Sequence, residues 1–174
     1  MVERAAAYKS EFYDGEIFAM AGASREHNLI TLNVGSGLRA QLRRAGCETY
    51  ASDMRVATAH GNYYYPDVSA VCGKPVFSDR EKDALQNPVL LVEVMSKSTQ
   101  RFDRQVKLSD YQRISSVREI LLIAQDKMSV DHYSKKLRAG WTLKTYTRAD
   151  AIIDIPSLHC SLSLAEIYDG VTFG

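Results

Sequence analysis

The stretch Pro88-Val-Leu-Leu-Val-Glu-Val-Met95 decides how this chain folds. It is a short and nearly continuous apolar run, a pattern that predicts a strand buried on both faces of a sheet. Glu119-Ile-Leu-Leu-Ile-Ala124 repeats the pattern. Between the two, Ser98, Thr99 and Asp103 introduce a helix that Val106, Leu108, Tyr111 and Ile114 carry to about residue 114. A strand, helix, strand unit over 89–124 implies a locally parallel pair inside a mixed sheet.

Working upstream, Phe12 to Met20 reads as a strand region in which Gly15 supplies a turn. Ser24 offers a helix N-cap, Ile30, Val34, Leu38 and Leu42 recur at four-residue spacing, and Gly46 stands where the helix should stop. From Cys47 to Val71 the composition favours β structure: Met54–Thr58 and Tyr63–Val71 flank a turn at His60-Gly-Asn62 and predict a hairpin. Residues 72 to 87 are polar, with Gly73, Pro75 and Asp79, and predict an exposed loop with a short helical turn. Downstream, Ser129–Ser134 and Trp141–Thr147 predict a second hairpin around Gly140, and Ser163–Tyr168 a short closing helix.

The 174 residues are sized for one domain spanning 1–174, and the 45% apolar and 25% charged composition argues against disorder. With 22 Lys+Arg against 21 Asp+Glu, any polyanion site must be local. Cys47, Cys72 and Cys160 are odd in number, far apart and without a C-x-x-C pair, so they match neither a disulfide framework nor a zinc knuckle. A reducing cytosol is the simplest home for them. The segment Met1–Ser10 lacks a secretory apolar stretch, and no window approaches the roughly 18 apolar residues of a membrane span. These features predict a cytoplasmic protein with no membrane attachment.

Two acids carry the chemical information. Asp67 follows Pro66 on one strand, and Glu93 interrupts the buried run of another. An ionised carboxylate in a central strand costs several kcal/mol unless a cation or hydrogen-bond donors compensate it. Two such acids on neighbouring strands repel each other, and a hard divalent cation such as magnesium or manganese relieves the repulsion. The plainer reading is that Asp67 caps a turn and Glu93 pairs with Lys or Arg at the sheet edge. Lys107 lies four residues from both Asp103 and Tyr111, on one helical face. On a solvated surface that spacing is worth only about 0.2–0.5 kcal/mol, but this helix follows the Glu93 strand, where α/β proteins gather functional groups.

Pro66-Asp67, Glu93-Val-Met-Ser96 with Ser98-Thr99, Asp103 with Lys107 and Tyr111, and the earlier Asp14-Gly-Glu16 and His27 together resemble the Uma-type restriction endonuclease family, also known as domain of unknown function 820. That family is a branch of the PD-(D/E)XK nuclease superfamily, and the resemblance covers nearly the whole chain. It implies an α/β (α+β) fold with a restriction-endonuclease-like core, a mixed β-sheet flanked by helices, and additional C-terminal antiparallel strands. It also implies an endonuclease acting on DNA with Mg2+, or Mn2+, as cofactor. Asp67, Glu93 and the Val94 carbonyl would hold the ion, and Lys107 would act as a migrated catalytic lysine. The superfamily's usual lysine position, two residues after the second acid, is Met95 here.

The same resemblance places His27 beside the site. Glu16, Glu26 and Asp103 are possible accessory acids, although turn and first-turn roles also explain the two glutamates. Arg101, Arg104 and Lys97 are candidates for holding phosphate, with an exposed helix face the plainer role for the arginines. Tyr63, Tyr64, Tyr65 and Trp141 suit packing or base stacking. His60, His132 and His159 show no ligand spacing. Cutting both strands of a duplex calls for two active centres and so for a homodimer. The alternative is a catalytically impaired nucleic-acid-binding protein on the same fold, or a structural domain in which Glu93 is only a salt-bridge partner.

Overall fold

The computed structural model describes residues 9–19, 22–58, 60–78 and 80–173. The predicted central strand is β8 (Leu90–Met95), in a six-stranded sheet of order β11-β10-β9-β8-β6-β3. Its neighbours are β6 (Val68–Cys72), antiparallel, and β9 (Glu119–Ala124), parallel, while β3 (Cys47–Ala51), β10 (Val130–Lys136) and β11 (Gly140–Tyr146) complete the sheet. The mixed sheet with flanking helices and C-terminal antiparallel strands is the expected architecture.

Alternation along β8 divides two cores, because successive side chains leave a strand on opposite faces. Leu90, Val92 and Val94 pack with Ile30, Val34, Leu38 and Leu42, while Leu91 and Met95 pack with Tyr111, Ile114, Val117 and Leu122. Glu93 therefore belongs to the second face.

The first face is covered by α1 (Arg25–Leu42), whose predicted stripe is fully buried. Each of those aliphatic side chains contributes about 1.5–3 kcal/mol. Ser24 caps the helix by accepting from His27 N, and Gly46, at φ 70, ends the turn Arg43–Ala45 that follows it. Gly37 lets α1 approach β13 (Cys160–Ser163) closely: a Cβ there would meet Leu162 Cδ2 at 3.0 Å. β13 pairs with β12 (Ile152–Ile155), an antiparallel unit that the sequence pattern did not indicate, and leads into the predicted closing helix α4 (Leu164–Ile167), capped by Ser163 and Glu166.

A second sheet lies over the other core, in the order β2-β1-β5-β4-β7. β1 (Ser10–Tyr13) and β2 (Glu16–Ala19) form a hairpin through Asp14 and Gly15, both at positive φ, so the region starting at Phe12 is two strands; Met20 lies outside the described residues. The predicted hairpin of residues 54 to 71 exists only as β4 (Arg55–Ala57) with β5 (Tyr63–Tyr64), because Pro66 and Asp67 pass the chain to β6 in the large sheet. The expected loop of residues 72 to 87 is corrected in one place. Ala84–Leu85 is strand β7, buried and parallel to β4. The loop's Asp79 lies outside the described residues.

The helix after β8 runs as α2 (Gln100–Phe102), a π-helical turn (Asp103–Lys107) and α3 (Leu108–Arg113). The wide turn is closed by Leu108 N donating to Asp103 O. The cysteine expectation is overturned: Cys47 and Cys72 face each other across β3 and β6 and are joined by a disulfide, leaving Cys160 free and buried. Spacing along the chain could not show this, since antiparallel pairing made the two residues neighbours. The cysteine argument for a reducing compartment loses its basis with it. No helix of the described residues is long and apolar enough to cross a membrane.

Candidate active site

Asp67 stands immediately before β6, one step beyond the pair Val68↔Val92, and so comes opposite Glu93. Adjacent residues on antiparallel neighbours share a face, which brings the two predicted acids together at the sheet's centre. Asp67 Oδ2 accepts from Val94 N at 2.7 Å and lies 3.3 Å from His27 Nε2. His27 reaches it because the Ser24 cap fixes the helix entry one turn away. Burial alone would depress the imidazole's pKa; the Asp67 carboxylate, with Asp103 and the Val94 carbonyl, outweighs it and raises the net value.

Glu93, 4% exposed, is held by two donors from the helix: Tyr111 OH at 2.6 Å and Lys107 Nζ at 3.3 Å, both on Oε1. Lys107 Nζ also lies 2.7 Å from Glu11 Oε1 and 3.6 Å from Asp103 Oδ1. Asp103, Lys107 and Tyr111 thus converge as the spacing predicted, with the π turn carrying Asp103 and Lys107 inward to burial. Such turns mark functional sites in many helices. Burial pushes the Glu93 carboxyl well above its ordinary range; Lys107 opposes this, and Asp103, Asp67 and Glu11 reinforce it. Burial likewise raises Asp103 against the pull of Lys107. For Lys107 burial acts downward, but Glu93, Glu11 and Asp103 together exceed it and hold the ammonium charged. Lys107 is thus the ammonium shared by three buried acids, Glu93, Glu11 and Asp103.

Glu11 is the residue that sequence reasoning missed. It is buried on β1, takes the shortest of the Lys107 contacts and accepts from Tyr65 N at 3.0 Å. Glu16, the acid singled out in that segment, faces solvent beside the hairpin turn, opposite Tyr13. Glu11 lies opposite Phe18, two residues, or about 7 Å, further from the turn. Only the hairpin register separates them, and a polar residue before Phe12 gave no periodic signal.

The remaining candidates lie apart. Glu26 pairs with Arg25 in the first turn of α1. Arg104 is paired with Asp131 of β10. Arg101 is exposed beside Gln105, and Lys97 is exposed in the turn after β8. Lys9 is a cation not foreseen: it bonds Asp53 at 2.9 Å and lies 4.2 Å above the Tyr65 ring. Met95 points into the second core, so the position of the superfamily lysine is filled by packing.

Lys9, Glu11, His27, Asp67, Glu93, Asp103 and Lys107 line a cleft of about 830 Å³. Among the described residues no three His, Cys, Asp or Glu side chains converge as a cation cage. Magnesium does not require one, since it binds through one or two carboxylates and keeps several waters. Asp67 Oδ1 and Glu93 Oε2 carry no hydrogen bond from another described residue. Hard oxygen donors with lone pairs to spare, in a locally acidic cleft, fit such an ion.

Comparison with known proteins points the same way. Two proteins of Synechocystis sp. (strain ATCC 27184 / PCC 6803 / Kazusa), both described as uncharacterized, match along most of their length. One, sll1609, is 38% identical over 153 residues, covering 87% of this chain and 86% of its own. The other, slr1290, is 30% identical over 169 residues, covering 95% and 86%. The crystal structure of a "putative nuclease belonging to DUF820" from Anabaena variabilis ATCC 29413 superposes with a TM-score of 0.77 over 96% of this chain and 93% of that one, at 16% identity, and so shares the fold. The model of the Uma2 family, described as "Putative restriction endonuclease", matches residues 2–166, and the chain belongs to that family.

Proposed function

We propose that this protein is a magnesium-dependent endonuclease that hydrolyses DNA phosphodiester bonds at the Asp67–Glu93 pair, with manganese able to replace magnesium. The observation that carries this reading is the meeting of two acids from adjacent strands with the Lys107 ammonium in one cleft. Asp67 and Glu93, with the Val94 carbonyl, would hold the ion, which supplies Lewis acidity toward a phosphoryl oxygen and lowers the pKa of water.

The chain's own residues set the rest. Tyr111 and Lys107 hold Glu93 by one oxygen, Oε1, and leave Oε2 without a donor among the described residues. Glu11 and Asp103 keep Lys107 charged at that point, where an ammonium stabilises negative charge growing on the oxygens of the pentacovalent phosphorane. His27 orients Asp67, and Asp103 is an accessory acid through Lys107. DNA is the substrate, and the protein acts as a homodimer that carries two such centres. Buried Met95 favours a second reading, in which the fold binds nucleic acid without cutting it.

The test is plasmid nicking with magnesium, manganese or chelator. The proposal expects ion-dependent cleavage by the natural chain and none by Glu93→Gln. Undiminished cutting by that variant rejects the site, and absence of cutting with DNA binding retained selects the second reading.

A further inference from the structure

The hairpin that brings Glu11 to Lys107 also brings an aromatic ring. Phe18 is the cross-strand partner of Glu11, is 41% exposed, and lines the cleft with Phe102. Their ring centroids are 6.0 Å apart, and Phe102 immediately precedes Asp103. Phe102 is anchored by Tyr13 and Tyr64, with centroids at 5.7 and 6.3 Å, so one wall ring is fixed and the other presents open surface. The Lys9 ammonium over Tyr65 is on the same lining.

The acids line this cleft of about 830 Å³ and are nearly excluded from solvent. A base-paired strand presents no π face to such a wall, because its bases are stacked inside the duplex. An unpaired strand does, and aromatic platforms beside cationic groups are how proteins hold single strands without reading sequence.

Resting on the hydrolase reading above, we infer that Phe18 and Phe102 form a stacking subsite for an unpaired nucleobase, so that the strand enters the cleft as single-stranded DNA. Phe18 is the specificity residue.

The experiment is fluorescence anisotropy of a labelled 12-nucleotide oligo(dT) and of a duplex of equal length, at fixed salt with chelator, beside cleavage of both with manganese. The expected result is tighter binding of the single strand, weakened about tenfold by Phe18→Ala and retained by Phe18→Trp, with unchanged circular dichroism melts. Equal or tighter duplex binding, or no effect of Phe18→Ala, overturns the subsite. If neither DNA is cut while the single strand still binds through Phe18, the hydrolase reading fails and the subsite stands. If duplex is cut and the single strand is not preferred, the subsite fails alone.

Discussion

Lys107 reaches Glu93 from the helix, Nζ to Oε1 at 3.3 Å, while Met95, two residues beyond Glu93 on the same strand face, is buried in the core. The ammonium that meets this acid comes from the helix, and the strand position two residues on is taken up by packing. Removing it leaves Glu93, Glu11 and Asp103 without their shared cation. Breaking a buried pair in this way costs about 3–5 kcal/mol, so Lys107→Met should unfold at markedly lower urea. Adding Glu11→Gln should recover part of the loss, because coupled charges are not additive. Urea melts of the single and double variants check both outcomes, and a double variant weaker than the sum of the singles contradicts the coupling.

The cap of α1 sets the position of His27. Ser24 Oγ accepts from His27 N at 3.1 Å. Ser24→Ala should lower stability by about 1 kcal/mol, read as a small drop in Tm, and should reduce cleavage more than that drop explains by loosening His27 against Asp67. Full activity in a folded Ser24→Ala protein argues against a positioning role for the cap.

Acid sensitivity should come partly from a pair remote from the cleft. Glu119 and His132 are buried together at 2.7 Å. Burial alone would raise the Glu119 pKa, but the His132 hydrogen bond and charge, with Ser134 and Ser157, lower it overall. A depressed carboxyl adds stability above the unfolded value of about 4.3 and loses it as pH falls through the folded value. Glu119→Gln should therefore be less stable at neutral pH and flatten the decline below about pH 4.3. Stability measured against pH checks this, and an unchanged slope counts against it.

The Cys47–Cys72 bond spans 25 residues and ties edge strand β3 to β6. Closing a loop of that length stabilises by about 3.5 kcal/mol. Cys47→Ser with Cys72→Ser should lower the urea midpoint as much as reductant does on the natural chain, and reductant should not affect the double variant. Equal midpoints with and without reductant in the natural chain would show that the bond does not form.

Much of the fold was legible because it follows local periodicity. The α1 stripe Ile30, Val34, Leu38 and Leu42, its Ser24 and Gly46 boundaries, and the two apolar strands β8 and β9 each repeat within a few residues. Weaker patterns failed. Ala84–Leu85 is too short to show a period, and Ile152–Ile155 and Cys160–Ser163 alternate over only four residues each.

For the site, sequence by itself determined that a charged residue inside a doubly buried strand needs a partner and that the helix which follows carries candidates for it, while the nuclease chemistry was what the family resemblance implied. That reasoning reaches Glu93, Asp67, Asp103, Lys107 and Tyr111. Tertiary structure alone decided that Glu11 rather than Glu16 joins them, that Arg104 is spent on Asp131, and that Phe18 faces the cleft. The physical reason is that those outcomes depend on register and on which strands pair, and pairing free energy is summed over whole sheets, leaving no mark on the neighbouring residues in the chain.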